Sequence, residues 1–262
     1  MQVIVGHNGA PSPETMYLFN GDIVDRGPYS CECILLVFTL KIQFSKFVFV
    51  NRGNHESEPI NREEGFFHEA QLRVGEEVLQ LIHKCFRSIP LATDDGKSFF
   101  VIHGGLAVQE GGTPASLQDL QSIQRRVDPT KGRDLMTQLL WNDPSQDRGV
   151  TNSSRTGWGL QYGSDITDEF LKKHGYKFVV RSHQEIPGGF KEKDRCITIF
   201  SANFECATSL EIEKNGDHKC HRIDSVKSEK QEELYYKWLG WSSTSEVIHQ
   251  HSSDSEFRRT RA

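Results

Sequence analysis

Short apolar runs recur along this chain, and most of them end in a glycine-flanked group of polar residues. Tyr17-Leu18-Phe19, Phe47 to Val50, Ser98 to Ile102 and Lys177 to Val180 are rich in β-branched and aromatic residues and predict strands. Ile197 to Phe200 predicts another, and Ser209 to Glu213 a further strand turning at Asn215-Gly216. Between these runs the apolar positions fall at helical spacing. Ser30 to Leu40 reads as a helix with Ile34, Leu35 and Phe38 on one face, and Ile60 to Cys85 as two helices broken near Val74-Gly75. Pro114 to Leu117 opens a short helix with Ser116 as its cap, and Arg133 to Leu140 is helical. Ile166 to His174 reads as a helix that turns Phe170 and Leu171 inward. The rest of 126–138 and the Asp143–Gly157 stretch read as loop-rich surface. Strands alternating with helices predict an α/β fold, and no internal repeat is present.

The polar groups carry the chemistry. Gly21-Asp22-Ile23-Val24-Asp25-Arg26-Gly27 follows the first run, and Arg52-Gly53-Asn54-His55-Glu56 the second. His103-Gly104-Gly105 and Arg181-Ser182-His183 follow the next two. Each falls at the carboxyl end of a strand, where α/β sheets bind ligands. Taken singly, each has a plain reading: a turn with a solvated salt bridge, a helix N-cap at Asn54, a strand-end histidine with a satisfied hydrogen bond. An aspartate, an asparagine and histidines repeated at four strand ends form a metal-site pattern instead. Glycine beside the first three groups suits a backbone that turns sharply and admits a ligand closely.

These motifs, together with Leu140-Trp141-Asn142-Asp143-Pro144, resemble those of the metal-dependent phosphoprotein phosphatases, the serine/threonine phosphatase superfamily. The likeness runs from about Asn8 to about Phe204, and Ser116 to Pro144 is most similar to the type-5 branch. The resemblance implies a metallophosphatase β-sandwich flanked by helices, with two divalent metals about 3.5–4 Å apart activating a water for attack on phosphorus. Manganese is the ion it favours, with iron and zinc as alternatives. Asp22 would bridge both metals, and Asn54, His103 and His183 would complete one metal site. His55 would be the general acid, oriented and kept charged by Asp25. Arg26, Asn54 and Arg155 would hold the substrate phosphate. The implied reaction is hydrolysis of phosphoserine and phosphothreonine in phosphoprotein substrates, with regulatory protein subunits as further partners.

The sequence also departs from the family pattern. The family's Gly-Asp-x-His-Gly motif, which supplies most of the other metal site, is expected before Met1, so the domain is expected to be N-terminally truncated. His7, the nearest imidazole, belongs to a connecting segment. Arg155 is one residue off the expected offset from Tyr162-Gly163. Phe204 stands where a tyrosine hydroxyl would face substrate, and Glu64 stands at a usually aromatic position. The expectation is an enzyme of impaired activity. The alternative is a catalytically dead pseudophosphatase that still binds phosphoproteins.

Composition narrows the setting. A chain of 262 residues with net charge −5 suits one substantial domain and argues against nonspecific nucleic-acid affinity. No apolar run reaches about 18 residues, so no membrane span is expected. Six scattered cysteines without a CxxC pair fit reduced thiols and a cytoplasmic or nuclear location. The domain is expected over 1–222. Residues 223–262 form a tail with an aromatic cluster at Leu234 to Trp241, then a Ser-, His- and Arg-rich disordered end containing His249 and His251.

Overall fold

The computed structural model describes residues 9–27, 29–201 and 206–224. His7, Phe204 and the tail with its aromatic cluster, His249 and His251 lie outside the described residues.

Four of the expected strands pair in parallel, two by two. Strand β1 (Tyr17–Asn20) pairs with β2 (Val48–Asn51), and β4 (Phe99–Ile102) with β8 (Phe178–Arg181). A parallel pair needs a crossover, and helix α1 (Ser30–Gln43) supplies the one between β1 and β2. Strand β4 lies within a five-stranded sheet of order β3-β4-β8-β10-β9, where β3 is Ala92–Asp94, β9 Phe190–Lys193 and β10 Cys196–Ile199. Side chains alternate across that sheet, as period-two geometry requires. Phe100, Ile102 and Val179 pack on one face against Leu139 and Leu140 of α6 (Leu135–Trp141) and Ile166, Phe170 and Leu171 of α7 (Ser164–His174). Val101, Phe178, Val180 and Ile197 pack on the other face. They meet Leu18 of β1 and Leu210 and Ile212 of β11 (Cys206–Ile212), which forms a hairpin with β12 (His218–Asp224). Strand residues on one face and helices on the other give the expected β-sandwich flanked by helices.

The segment after β2 holds three helices rather than two: α2 (Glu58–Glu64), α3 (Phe66–Arg73) and α4 (Glu76–Ser88). The additional break is at Gly65, whose φ of 112° caps α2 in the left-handed region. Asn54 caps no helix; Ser57 is the N-cap residue of α2. Ser116 does cap α5 (Leu117–Gln121), in a reciprocal capping box with Asp119. The stretch read as loop contains a small sheet of β5 (Asp143–Pro144), β7 (Leu160–Tyr162) and β6 (Val150–Asn152).

Two asparagines join the parallel pairs. Asn20 Nδ2 donates to Ile102 O at 2.8 Å and Asn51 Nδ2 to Val101 O at 3.1 Å. The carboxyl ends of β1, β2, β4 and β8 are thereby gathered in one place.

Candidate active site

The loops leaving those four strand ends converge. Asp22, His103 and His183 offer ligand atoms within 4.8 Å of one another. His103 Nε2 lies 3.2 Å from Asp22 Oδ1 and 2.9 Å from Asn54 Oδ1, and His183 Nδ1 lies 3.0 Å from the same Asn54 oxygen. The proton inventory explains the arrangement. His103 Nδ1 lies 2.7 Å from the Asn20 carbonyl, which can only accept, so that nitrogen carries the ring proton. Nε2 then turns a lone pair toward two acceptor oxygens. Four electron-rich atoms facing one another inside a protein are the donor set of a divalent cation, and fixing the tautomer through the far ring nitrogen is how proteins aim such a ligand. Burial holds the His183 imidazole well below the usual histidine range, with the Arg181 guanidinium acting in the same direction, in the neutral form a ligand needs. Burial alone would raise the Asp22 carboxyl. The positive groups around it, His55 and Arg26 among them, outweigh that and hold it well below the usual carboxylate range.

The loop that presents these atoms is tightly folded. Asp22, Asp25, Arg26 and His183 all have positive φ, between 51° and 66°. Such backbone is unfavourable for residues with a Cβ and concentrates at functional sites. Glu56 holds the loop: its buried carboxylate accepts from the amides of Asp22, Ile23 and Gly53 at 2.7–2.8 Å. A side chain at Gly53 would run into Asp22 and the Glu56 carboxylate. Burial and the nearby Asp22 charge push the Glu56 carboxyl upward.

His55 stands beside the cluster. Its Nδ1 donates to Asp25 Oδ2 at 2.8 Å, and its Nε2 lies 4.0 Å from Asp22 Oδ2. Burial lowers the affinity of this ring for a second proton, but the Asp22 charge and the Asp25 hydrogen bond prevail and its pKa is raised. Arg26 is partly exposed and reaches Asp22 Oδ2 with Nη1 at 2.9 Å. Arg155 does not reach the cluster directly. Its Nε binds Asp143 Oδ2 at 2.9 Å, and the other Asp143 oxygen receives Arg181 Nη2 at 2.8 Å.

A family model described as calcineurin-like phosphoesterase matches residues 3–187. The chain belongs to the calcineurin-like phosphoesterase family. Serine/threonine-protein phosphatase T of Aspergillus oryzae is 40% identical over 205 residues, which is 77% of this chain and 42% of that protein. Human serine/threonine-protein phosphatase 5 is 36% identical over 202 residues, 76% of this chain and 39% of that one. The chain thus spans less than half the length of these curated relatives. A solved protein serine/threonine phosphatase from Saccharomyces cerevisiae, described as similar to human phosphatase PP5, superposes with a TM-score of 0.77 at 32% identity. That superposition covers 86% of this chain and 76% of that one.

Within this calcineurin-like phosphoesterase fold, the structure brings together Asp22, Asn54, His103 and His183, sets Asp25, His55 and Arg26 beside them, and ties Arg155 to Asp143 instead. Sequence reading quoted Glu56 within its motif without seeing that it gathers three amides. It missed the Asn20 carbonyl that sets the His103 tautomer. An asparagine at the end of a strand, immediately before Gly-Asp, was the available signal. Glu64, at the usually aromatic position, is exposed near the end of α2. Among the described residues no helix is long and apolar enough to cross a membrane. Cys31, Cys33, Cys85 and Cys196 are thiols outside any disulfide.

Proposed function

We propose that this chain is a serine/threonine protein phosphatase that hydrolyses phosphoserine and phosphothreonine esters. The observation supporting the reading is a four-donor cation cradle set next to a histidine held by a carboxylate. A divalent ion held by Asp22, Asn54, His103 and His183, manganese in this proposal, would act as a Lewis acid on the phosphoryl oxygens and lower the pKa of water at the site. His55 protonates the departing seryl or threonyl oxygen from Nε2, while Asp25 fixes the ring and favours its charged form. Arg26, Asn54 and the outer N–H groups of Arg155 take the phosphate oxygens; a guanidinium fork suits two of them. The names of the relatives support protein substrates over other esters.

Among the described residues these donors make a single cluster, so the turnover expected of this chain as it stands is slow. The same observation favours a second reading, a phosphoprotein-binding protein that does not turn over. Incubating the chain with a phosphoserine peptide and manganese distinguishes them. Phosphate release that is abolished by His103→Ala supports the phosphatase. Saturable peptide binding with no phosphate release supports the second reading and overturns the first.

A further inference from the structure

His83, on α4, is buried and lies outside every motif of the site. Its surroundings nevertheless lead to His55. The Asn61 amide sits between them. Asn61 Nδ2 donates to Asp25 Oδ2 at 3.0 Å and to the His55 carbonyl at 2.6 Å. Both partners only accept, so the amide cannot be turned over, and its oxygen must face the other way. There it meets His83 Nε2 at 3.2 Å. An amide oxygen only accepts, so Nε2 must carry a proton. Burial holds the His83 imidazole below the usual histidine range, so the ring is neutral and this is its only proton. The other nitrogen, Nδ1, is buried without a hydrogen bond, with Glu58 Oε2 3.7 Å away, beyond hydrogen-bond reach. Asp25 Oδ2 is also the oxygen that accepts from His55 Nδ1, and Asp25 Oδ1 accepts from the Phe66 amide at 2.8 Å.

We propose that His83 is a positioning residue for His55: it supplies the N–H that sets the Asn61 amide, which locks the Asp25 carboxylate against the His55 ring. The inference rests on the reading of His55 as general acid. Without the His83 donor, the Asn61 oxygen is buried with no partner, and its amide is no longer obliged to present both N–H groups to Asp25 and His55. The catalytic ring then loses definition, while the packing hardly changes. His83 stacks on Phe67, with ring centroids 6.3 Å apart, and leans on Phe86, so the slot accepts an aromatic hydrocarbon.

The variants follow from this geometry. His83→Phe fills the slot without a donor. His83→Gln returns an N–H close to the position of Nε2. A general acid matters most when the leaving group is poor, so phenyl phosphate should feel its loss far more than p-nitrophenyl phosphate. The expected result for His83→Phe is about a tenfold larger loss of kcat on phenyl phosphate than on p-nitrophenyl phosphate, the scale at which outlying hydrogen-bond partners act on a site. His83→Gln should restore the ratio, with melting temperatures close to wild type. Equal losses on both esters, or no loss, would overturn the proposal, since a purely structural role predicts no leaving-group dependence. Long-range proton–nitrogen spectra of the full chain give an independent arm. They should show His83 protonated at Nε2, and a His55 Nδ1–H signal that is kept in His83→Gln and lost in His83→Phe. An Nδ1–H tautomer at His83 would refute the proposal even if His83→Phe failed to fold. If the wild-type chain hydrolyses neither ester, the phosphatase reading fails, and these spectra still decide the placement of His83.

Discussion

At the scale of single residues, the site works by assigning protons. Of its three imidazoles, His103 points its ring proton at a backbone carbonyl, His183 is neutral by burial, and His55 has surroundings that favour a positive charge. These are three fates for one side-chain type, set by what lies on the far side of each ring. The assignment makes a clear expectation for His55, which touches Asp22 but belongs to no cation cradle. His55→Asn should lower kcat on a phosphoserine peptide by roughly 10²–10⁴, the range of general acid–base catalysis. Manganese content, measured by elemental analysis, should not change. A parallel loss of metal would place His55 among the ligands instead.

At the scale of elements, the strands deliver the site and the turns define its stability. The β3–β4 turn is held by Asp95, whose Oδ1 accepts from the amides of Lys97, Ser98 and Phe99 at 2.7–3.0 Å. Burial alone would raise this carboxyl, but the amides of Phe99, Ser98 and Lys97 outweigh it and hold the pKa below its ordinary value. A carboxylate whose folded-state pKa lies below the unfolded value of about 3.9 contributes stability that is fully present above that value. The contribution is lost as pH falls through the folded-state pKa. Asp95→Asn should therefore lower the urea midpoint at neutral pH, and the gap from wild type should close as the pH is taken below about 4. A gap that persists undiminished in acid would assign the effect to packing.

At the scale of the whole molecule, four strand ends from both parallel pairs supply the proposed cation donors, so ion binding should tie the sheets together. An ion that binds only the folded chain stabilises it by about 2.7 kcal/mol at a free concentration roughly 100 times its Kd. For a domain of this size that corresponds to roughly 5–10 °C in melting temperature. Manganese should raise the melting temperature by that amount at saturation, with close to one ion per chain, the number for which the described residues supply a full donor set. Asn54→Ala combined with His103→Ala should abolish the shift. A shift that survives in the double variant would locate the ion elsewhere.

The chain itself determined the strands that carry the site and the residues at their ends. Short apolar runs and the polar motifs that follow them are local signals, and the candidate donors Asp22, Asn54, His103 and His183 were legible for that reason. The three-residue strands Val150–Asn152 and Leu160–Tyr162 were not, because so short a segment shows no period and forms only once a neighbour pairs with it. The helix break at Gly65 escaped because a lone glycine within a helical pattern is tolerated as often as it terminates. What only the tertiary structure decided is which proton goes where. The partner of His103 lies 83 positions away, and the Asn54–His183 contact spans 129. No window along the sequence shows which carbonyl will stand behind a ring. Nor does any show that an amide at Asn61 and an imidazole at His83 will meet behind Asp25, since a hydrogen bond depends on distance in space and not along the chain.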